Sequence, residues 1–266
     1  MSPSFPSIRD VIDAVGPDSV KFLHAIVSQD IASMTDGETR WSFLLTPQGR
    51  VVSHFRVVCV DAEHLSLDIE AGHGALLELS LRRYLIRTKC TLTLRADQIS
   101  WWFPDRAVVS EVADASVVDA HPLLGGVDVF GLADAPRDAA DSAEAQRRRV
   151  VAGFPAMGTE LDETSIPNGT GLLEWAVSFS KGCYLGQELV ERIDSRSGST
   201  PARLVRLSFA EPREPDASDD EQKRSVRVTS VVADGSKRVG LGWAARTVAV
   251  DDTVDGALVV AEVGKA

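Results

Sequence analysis

The sequence has few cysteines, few tyrosines and no long apolar run. Its three cysteines, Cys59, Cys90 and Cys183, are odd in number and lie far apart. This spacing argues against a disulfide framework and against the paired ligands of a structural zinc site. No apolar stretch approaches the ~18 residues that a membrane-spanning helix needs, and the first residues lack the pattern of a secretory signal. We therefore expect a cytoplasmic protein without membrane segments.

Basic residues are also scarce relative to acidic ones. The 266 residues include 28 Lys and Arg against 39 Asp and Glu, so the formal net charge is -11. Nucleic acid and anionic lipid repel such a chain, and we expect neither as a direct partner. We expect the acidic surface to favour a monomer. Two local basic clusters, Arg147–Arg149 and residues 181–206, indicate either an anionic ligand near Cys183 or solvated arginines.

The hydrophobic and charged patterning predicts an α+β fold. A helix over residues 17–34 with Asp18 or Ser19 as N-cap, an antiparallel hairpin over 39–60 and a strand in HLSLDIE come first. An amphipathic helix over 73–85 and a strand in TKCTLTLRA follow. This order of hairpin, strand, helix and strand favours mixed or antiparallel sheets.

The second half of the chain suggests a boundary near residue 200. Short strands are expected in WWF, AVV and GGVDVFGL, then a polar surface segment and a helix from Ala143 to Val151. Residues 1–200 are predicted to form one α+β domain, and residues 202–266 a small C-terminal β-barrel with a hairpin turn at Asp234-Gly235. The charged, proline-containing stretch 211–225 is expected to be an exposed loop.

The segment Lys181-Gly182-Cys183-Tyr184-Leu185-Gly186-Gln187-Glu188 carries the strongest indication of chemistry. Apolar residues every four positions predict that a helix starts just after the cysteine. The dipole of that helix and the neighbouring Lys181 would both lower the pKa of a thiol. Cys183 is therefore predicted to serve redox, metal or nucleophilic chemistry, with Lys181 stabilising its thiolate. Cys59 and Cys90, in apolar strand-like segments, are predicted to be small core residues.

The other motif residues are expected to support the cysteine. Gly182 and Gly186 would supply backbone conformations closed to other residues. Glu188 either favours the helix dipole or has a functional role, and Arg192 could pair with it one turn later. Tyr184 serves either packing or recognition. The supporting set is Gly182, Tyr184, Gly186, Gln187, Glu188 and Arg192.

The motif KGCYLGQELVER resembles the hallmark of the YgfZ-type family, folate-binding-like relatives of the glycine cleavage T-protein. Four further segments of the chain are similar to other parts of that fold: GFPAMGTELDETSIPNGTGLLEWAVSF, GPDSVKFLHAIVSQDI, LLTPQGRVV and RVGLGWAAR. The resemblance implies a T-protein-like (aminomethyltransferase) ring around a folate-sized hole, with a C-terminal barrel. It also implies assembly or repair of iron–sulfur clusters in client enzymes, including tRNA-modifying ones. The cluster would be bound transiently, if at all, and no metal site of the chain's own is expected.

The same resemblance implies tetrahydrofolate as a ligand. Gln29 and Asp30 would face the folate, unless they only cap the helix end, and Trp175 and Tyr84 would stack on the pterin, unless they are core aromatics. Two departures weaken this expectation. The hairpin residues Gly49-Arg50-Val51-Val52-Ser53-His54 lack the family's acidic pair, and Gly169 stands where many relatives carry a glutamate.

Three other functions stay open at the level of sequence. A folate-dependent one-carbon transferase would need an acid or base that only His54 could replace. A non-catalytic adaptor could dock on iron–sulfur proteins without chemistry of its own. A cysteine hydrolase would pair Cys183 with a histidine, but none has a distinctive context: His24, His54, His64, His73 and His121.

Overall fold

The computed structural model describes residues 5–109, 116–131, 143–196, 200–209, 226–254 and 256–265. The described residues form antiparallel sheets with helices between groups of strands, in agreement with the α+β prediction. In chain order they are β1 (Phe5–Val15), α1 (Ser19–Ile26), β2 (Thr39–Leu45), β3 (Val51–Asp61), β4 (His64–Glu70), α2 (Gly74–Arg82), β5 (Thr91–Phe103), β6 (Ser116–Asp119), β7 (Val127–Phe130), α3 (Ala143–Ala152), α4 (Leu173–Ala176), α5 (Gln187–Ser195), β8 (Ala202–Phe209), β9 (Val226–Asp234), β10 (Lys237–Ala245), β11 (Thr253–Val254) and β12 (Ala257–Glu262). In this part of the chain, no helix is long and apolar enough to span a bilayer.

The larger sheet has seven strands in the order β2-β3-β4-β1-β5-β7-β6. The predicted 39–60 hairpin is present as the antiparallel pair β2 and β3. The sheet's central strand, β1, was not predicted, because its sequence FPSIRDVIDAV mixes charges with apolar residues. Those charges are paired on the sheet: Arg9 donates to Asp68 at 2.6 Å, and the Asp10 carboxylate accepts the backbone N–H groups of Gly72 and Gly74.

A buried ion cluster crosses this sheet. Arg56 on β3 is 1% exposed and binds the carboxylates of Asp68 and Asp128. Burial alone would raise the pKa of Asp68, but the guanidinium groups of Arg56 and Arg9 outweigh it and lower that pKa. The cluster joins β1, β3, β4 and β7, so four strands depend on one set of charges.

Helix α1 is much shorter than the predicted 17–34 helix and ends at Ile26, because Val27 is extended (φ -90°, ψ 160°). Asp18 does occupy the N-cap position, but its side chain does not cap the helix. Instead it accepts the backbone N–H of Lys89 at 2.8 Å. The segment AVV is part of a 3₁₀ turn over Arg106–Val109 and not a strand.

The C-terminal β unit is a five-stranded antiparallel sheet in the order β11-β12-β8-β10-β9, and Asp234-Gly235 turns β9 into β10 as expected. Glu160 ties this sheet to the rest of the chain. Its buried carboxylate pairs with Arg149 of α3 at 2.6 Å and accepts the hydroxyls of Thr229 and Ser230 on β9. The predicted loop 211–225, the polar segment 132–142 and the residues 197–199 of the predicted linker lie outside the described residues.

Candidate functional site

The KGCYLGQE loop connects α4 to α5, and Lys181 anchors it to α1. The Lys181 ammonium donates to the carbonyl oxygens of His24, Val27 (2.6 Å) and Gln29 (3.0 Å). Burial lowers the pKa of Lys181 to about 8. A cation at the carboxyl end of a helix is also favoured by the helix dipole. Because an ammonium has three donors and all are used, anchoring is the role that these contacts give; stabilisation of a Cys183 thiolate stays a prediction.

Cys183 faces solvent, whereas Cys59 is buried and Cys90 is half-buried. Burial raises the pKa of both Cys59 and Cys90, so these two thiols are poorer nucleophiles and ligands. Cys183 makes no hydrogen bond to any residue that the structure describes, and therefore none to a described histidine. The arrangement gives no support to a cysteine hydrolase.

Gly186 sets the direction in which the chain enters α5. It is the N-cap residue, with φ +77° in the left-handed region. A Cβ there would lie 2.4 Å from the Thr46 carbonyl oxygen and 2.9 Å from the Leu45 side chain. Gly182 differs from the prediction: its φ is outside the left-handed region and a Cβ would meet open space. Only Gly186 is required by the backbone.

Gln187 closes the loop on itself. Its side-chain oxygen accepts the backbone N–H of Tyr184 at 3.0 Å, and its amide donates to Glu191. The Tyr184 ring is buried in the main core, and burial raises the pKa of its phenol. Glu188 is exposed in the first turn of α5. The predicted Glu188–Arg192 ion pair is not found among the described residues.

A buried cluster of histidine and aromatic rings lies in the main core. His54 stacks on Trp41 at 4.9 Å between ring centroids, and His121 contacts Trp41 at 4.9 Å and Trp175 at 5.1 Å. Neither nitrogen of His54 has a hydrogen-bond partner among the described residues. Burial is the main cause that lowers the pKa of His54 well below its usual value and that of His121 to about 3. Both imidazoles are neutral at pH 7.

The predicted folate contacts are only partly brought together. Gln29 donates from its side-chain amide to the Trp175 carbonyl oxygen at 2.8 Å and accepts the Asp30 N–H. The Asp30 carboxylate is taken up by Ser33 and lies 3.8 Å from Arg40. Tyr84 follows α2 and has no recorded contact with the other three residues in the described part of the chain.

The central ring cluster does not fit a pterin. Its paired donors are best met by a carboxylate, and the central cluster offers only neutral imidazoles and the Trp41 indole, all buried. At Gly169, a Cβ would lie 2.7 Å from the Ala202 carbonyl oxygen and 3.2 Å from the Trp243 ring. No side chain fits there, so the glutamate of many relatives is excluded by packing.

The arginines of the first basic cluster, Arg147–Arg149, have structural partners. Arg147 pairs with Glu144 and Asp234, and the Arg148 guanidinium lies 3.3 Å above the centre of the Trp102 ring. Arg149 pairs with the buried Glu160, as described above. These three arginines hold α3 in place, so they are not evidence for an anionic ligand.

Sequence reasoning did not foresee the contacts of two buried residues. His121 packs against Trp41 and Trp175, and Glu160 accepts hydrogen bonds from Thr229 and Ser230. These partners lie far along the chain, so no local pattern could place them. Within the described residues, no group of three His, Cys, Asp or Glu side chains could hold a metal ion. Cys183 is thus a single exposed thiol on a loop that Lys181, Gly186 and Gln187 hold in place.

Comparison with known proteins shows which class of fold the chain has. The chain shares the fold of the aminomethyltransferase T of the glycine cleavage system from Bartonella henselae, with a TM-score of 0.73 at 17% identity over 92% of this chain and 79% of that one. The chain is 28% identical over 233 residues to the tRNA-modifying protein YgfZ of Klebsiella pneumoniae. This match covers 77% of the chain and 71% of that relative. No protein-family model matches the chain.

A second relative is the mitochondrial iron–sulfur cluster assembly factor IBA57 homolog of Neurospora crassa. It is 28% identical over 71% of this chain, and the match spans about half (49%) of that relative's length. The chain is therefore related to the YgfZ and IBA57 proteins, and the predicted T-protein-like α+β fold is confirmed.

Proposed function

We propose that this protein supports the assembly or repair of iron–sulfur clusters in client proteins, with Cys183 as the reacting or ligating group. The observation that carries the proposal is the exposed, free thiol of Cys183 on an anchored loop. The YgfZ and IBA57 relatives support the direction of the proposal through their names, tRNA-modifying protein and iron–sulfur cluster assembly factor.

The geometry favours an iron–sulfur cluster that is held jointly with another protein over one that is bound by this chain alone. Iron–sulfur clusters are held by several cysteine thiolates, and this loop offers one. Cys59 is buried on β3, and Cys90 is half-buried just before β5. A cluster that passes through the site as cargo would take its remaining ligands from the client or from an assembly partner. The protein would then act as an adaptor with one functional thiol.

A complementation assay tests the role of the thiol. A bacterial strain that lacks its own YgfZ-type protein would receive the wild type, Cys183→Ser or Cys183→Ala, and the activities of several iron–sulfur enzymes would be measured. We expect the wild type to restore them and both Cys183 variants to fail. Cys90→Ala is the matched control, because it removes a thiol that is half-buried and away from the loop. Full rescue by Cys183→Ala would refute the proposal.

Tetrahydrofolate is not part of this mechanism. Gly169 and the central ring cluster leave no carboxylate for a pterin, and Ser53 and His54 replace the acidic pair of the T-protein hairpin. We therefore expect calorimetric titration of the purified protein with tetrahydrofolate to give no saturable binding. Saturable binding that is lost in a Trp175→Ala variant would restore folate as a ligand and reopen the one-carbon transferase alternative.

A further inference from the structure

The outer face of α2 and the turn that follows it carry an exposed aliphatic strip. Leu76, Leu79 and Ile86 are 49%, 55% and 77% exposed, while Leu77 and Leu81 on the inner face of α2 are fully buried. Leu76 and Leu79 are three residues apart, so they share one face of the helix. Backbone hydrogen bonds from Leu85 to Arg82 and from Ile86 to Tyr84 continue the turn beyond α2. The turn that carries Ile86 therefore follows directly on the end of α2.

The strip is surrounded by positive charge, in contrast to the whole chain. Residues 75–89 hold four basic side chains and one acidic, a net charge of +3, in a protein of net charge -11. The acidic residue, Glu78, is neutralised by Arg82 at 2.7 Å. Within the described residues, Arg83, Arg87 and Lys89 have no recorded ion pair. Their charges are available to a partner.

The backbone after Ile86 is held in an unfavourable conformation. Arg87 has φ +57°, in the left-handed region, although it is not glycine. Such a conformation costs on the order of 1 kcal/mol for an ordinary residue and persists only where the surrounding structure maintains it. Here Asp18 accepts the Lys89 N–H, and Asp18 donates its own N–H to the Lys89 carbonyl oxygen at 3.2 Å. The turn is therefore fixed with Ile86 exposed.

We propose that Leu76, Leu79, Ile86, Arg83 and Arg87 form a docking strip for an acidic amphipathic helix of a partner protein. The aliphatic side chains would pack against the apolar face of that helix, and the arginines would meet its carboxylates. The charge complementarity selects this occupant over the same strip of a second copy, which is also basic, and over a basic partner. Three aliphatic side chains give a small interface, so the contact is transient.

Two other occupants match the strip less well. RNA would meet the arginines but would gain nothing from exposed aliphatic side chains, since bases stack on aromatic rings. An anionic membrane would accept both features, but α2 has nine residues and its inner face is fixed in the core. An interfacial helix inserts a whole apolar face, which α2 cannot release.

The strip lies at the opposite end of α1 from the reactive loop. Asp18, just before α1, binds Lys89, and the carbonyl groups at the end of α1 bind Lys181. An eight-residue helix is about 12 Å long. The docking inference does not depend on what Cys183 does.

Fluorescence anisotropy with a synthetic probe tests the strip. The probe is a labelled peptide that forms an amphipathic helix with leucines on one face and glutamates on the other, titrated with the full chain at low salt. We expect saturable binding that weakens with added salt and is on the order of tenfold weaker for Leu79→Ser and for Arg83→Glu. Both side chains are exposed, so the variants should keep the wild-type thermal midpoint.

Matched controls distinguish binding at the strip from nonspecific binding. Val260→Ser and Arg227→Glu alter an exposed aliphatic and an exposed basic residue on the C-terminal sheet and should leave the affinity unchanged. Cys183→Ala should also bind as the wild type does, which separates this inference from the proposed function. Equal binding of a peptide with lysines in place of glutamates would overturn the proposal, as would unchanged affinity in both strip variants. Tighter binding to anionic vesicles than to the peptide would likewise overturn it.

Discussion

The buried pair His54 and His121 predicts a steep loss of stability in mild acid. Both imidazoles are neutral in the folded protein. Burial is the largest cause for each, and the positive charge of Arg9 near His54 and of Arg56 near His121 acts in the same direction. In the unfolded chain both would titrate near pH 6.5. The unfolded state thus binds more protons than the folded state below pH 6.5, so stability present above that pH is lost as the pH falls towards the folded pKa.

The size of the loss follows from these pKa values. His121, with an unfolded pKa near 6.5 and a folded pKa of about 3, should lose about 2 kcal/mol of unfolding free energy between pH 7 and pH 5. The pKa of His54 is lowered for the same main reason, burial, so His54 adds to this loss. The loss is a substantial part of the ~5–15 kcal/mol that typically holds a folded protein together. Carboxylates contribute little in this range, because they titrate at lower pH.

Urea unfolding at pH 7, 6 and 5 measures the effect. The wild type should lose stability over this range, and a variant with His54→Leu and His121→Leu should lose at least about 2 kcal/mol less, whatever its stability at pH 7. The difference between the two slopes cancels the contribution of His24, whose pKa is also lowered, mainly by burial. Parallel pH dependence of wild type and variant would show that the two imidazoles are not buried as neutral groups.

Three further predictions concern the loop and its supports. Gly186→Ala should cost at least about 1 kcal/mol in urea unfolding, because of its left-handed φ and the close Thr46 carbonyl, whereas Gly182→Ala should stay within about 0.5 kcal/mol of wild type. Lys181→Met should leave the carbonyl oxygens at the end of α1 without their donor, and limited proteolysis should then cut near Cys183 faster than in Lys21→Met, a surface control on the same helix. Glu160→Gln should cost about 3 kcal/mol, since it leaves Arg149 without its charge partner, and an unchanged thermal midpoint would contradict this.

The parts of the fold that follow from local sequence were predicted from it. The 39–60 hairpin, the HLSLDIE strand and the C-terminal β strands all show alternation or turn residues that act over a few positions. The strand β1 was not predictable in this way, because Arg9, Asp10 and Asp13 look like surface residues until their partners on β4 and β5 are known. The end of α1 at Ile26 was missed for a similar reason. Lys181 binds the carbonyl oxygen of Val27 from outside the helix, and the Ser28 hydroxyl just beyond donates to the carbonyl oxygen of Ala176.

The candidate site divides along the same line. The requirement for Gly186 could be inferred from the motif, since its left-handed φ depends on the nearby chain, whereas the chemical role of Cys183 stays a prediction. The anchoring of Lys181 on α1 could not, because it joins residues more than 150 positions apart. The loss of pterin recognition was suggested by Gly169, but only the packing against Ala202 and Trp243 shows that a side chain cannot be accommodated there.

The central position of β1 has a consequence for how the protein folds during synthesis. Residues 5–15 leave the ribosome before their partners, which are residues 64–70 of β4 and 91–102 of β5. One hydrogen-bonding edge of β1 stays unpaired until β4 has been made, and the other edge stays unpaired until β5 has been made. Pairings of such long range fold slowly and leave strand edges open to aggregation. We expect the nascent chain to depend on chaperones at this stage, and a faster-translated gene to give more insoluble protein.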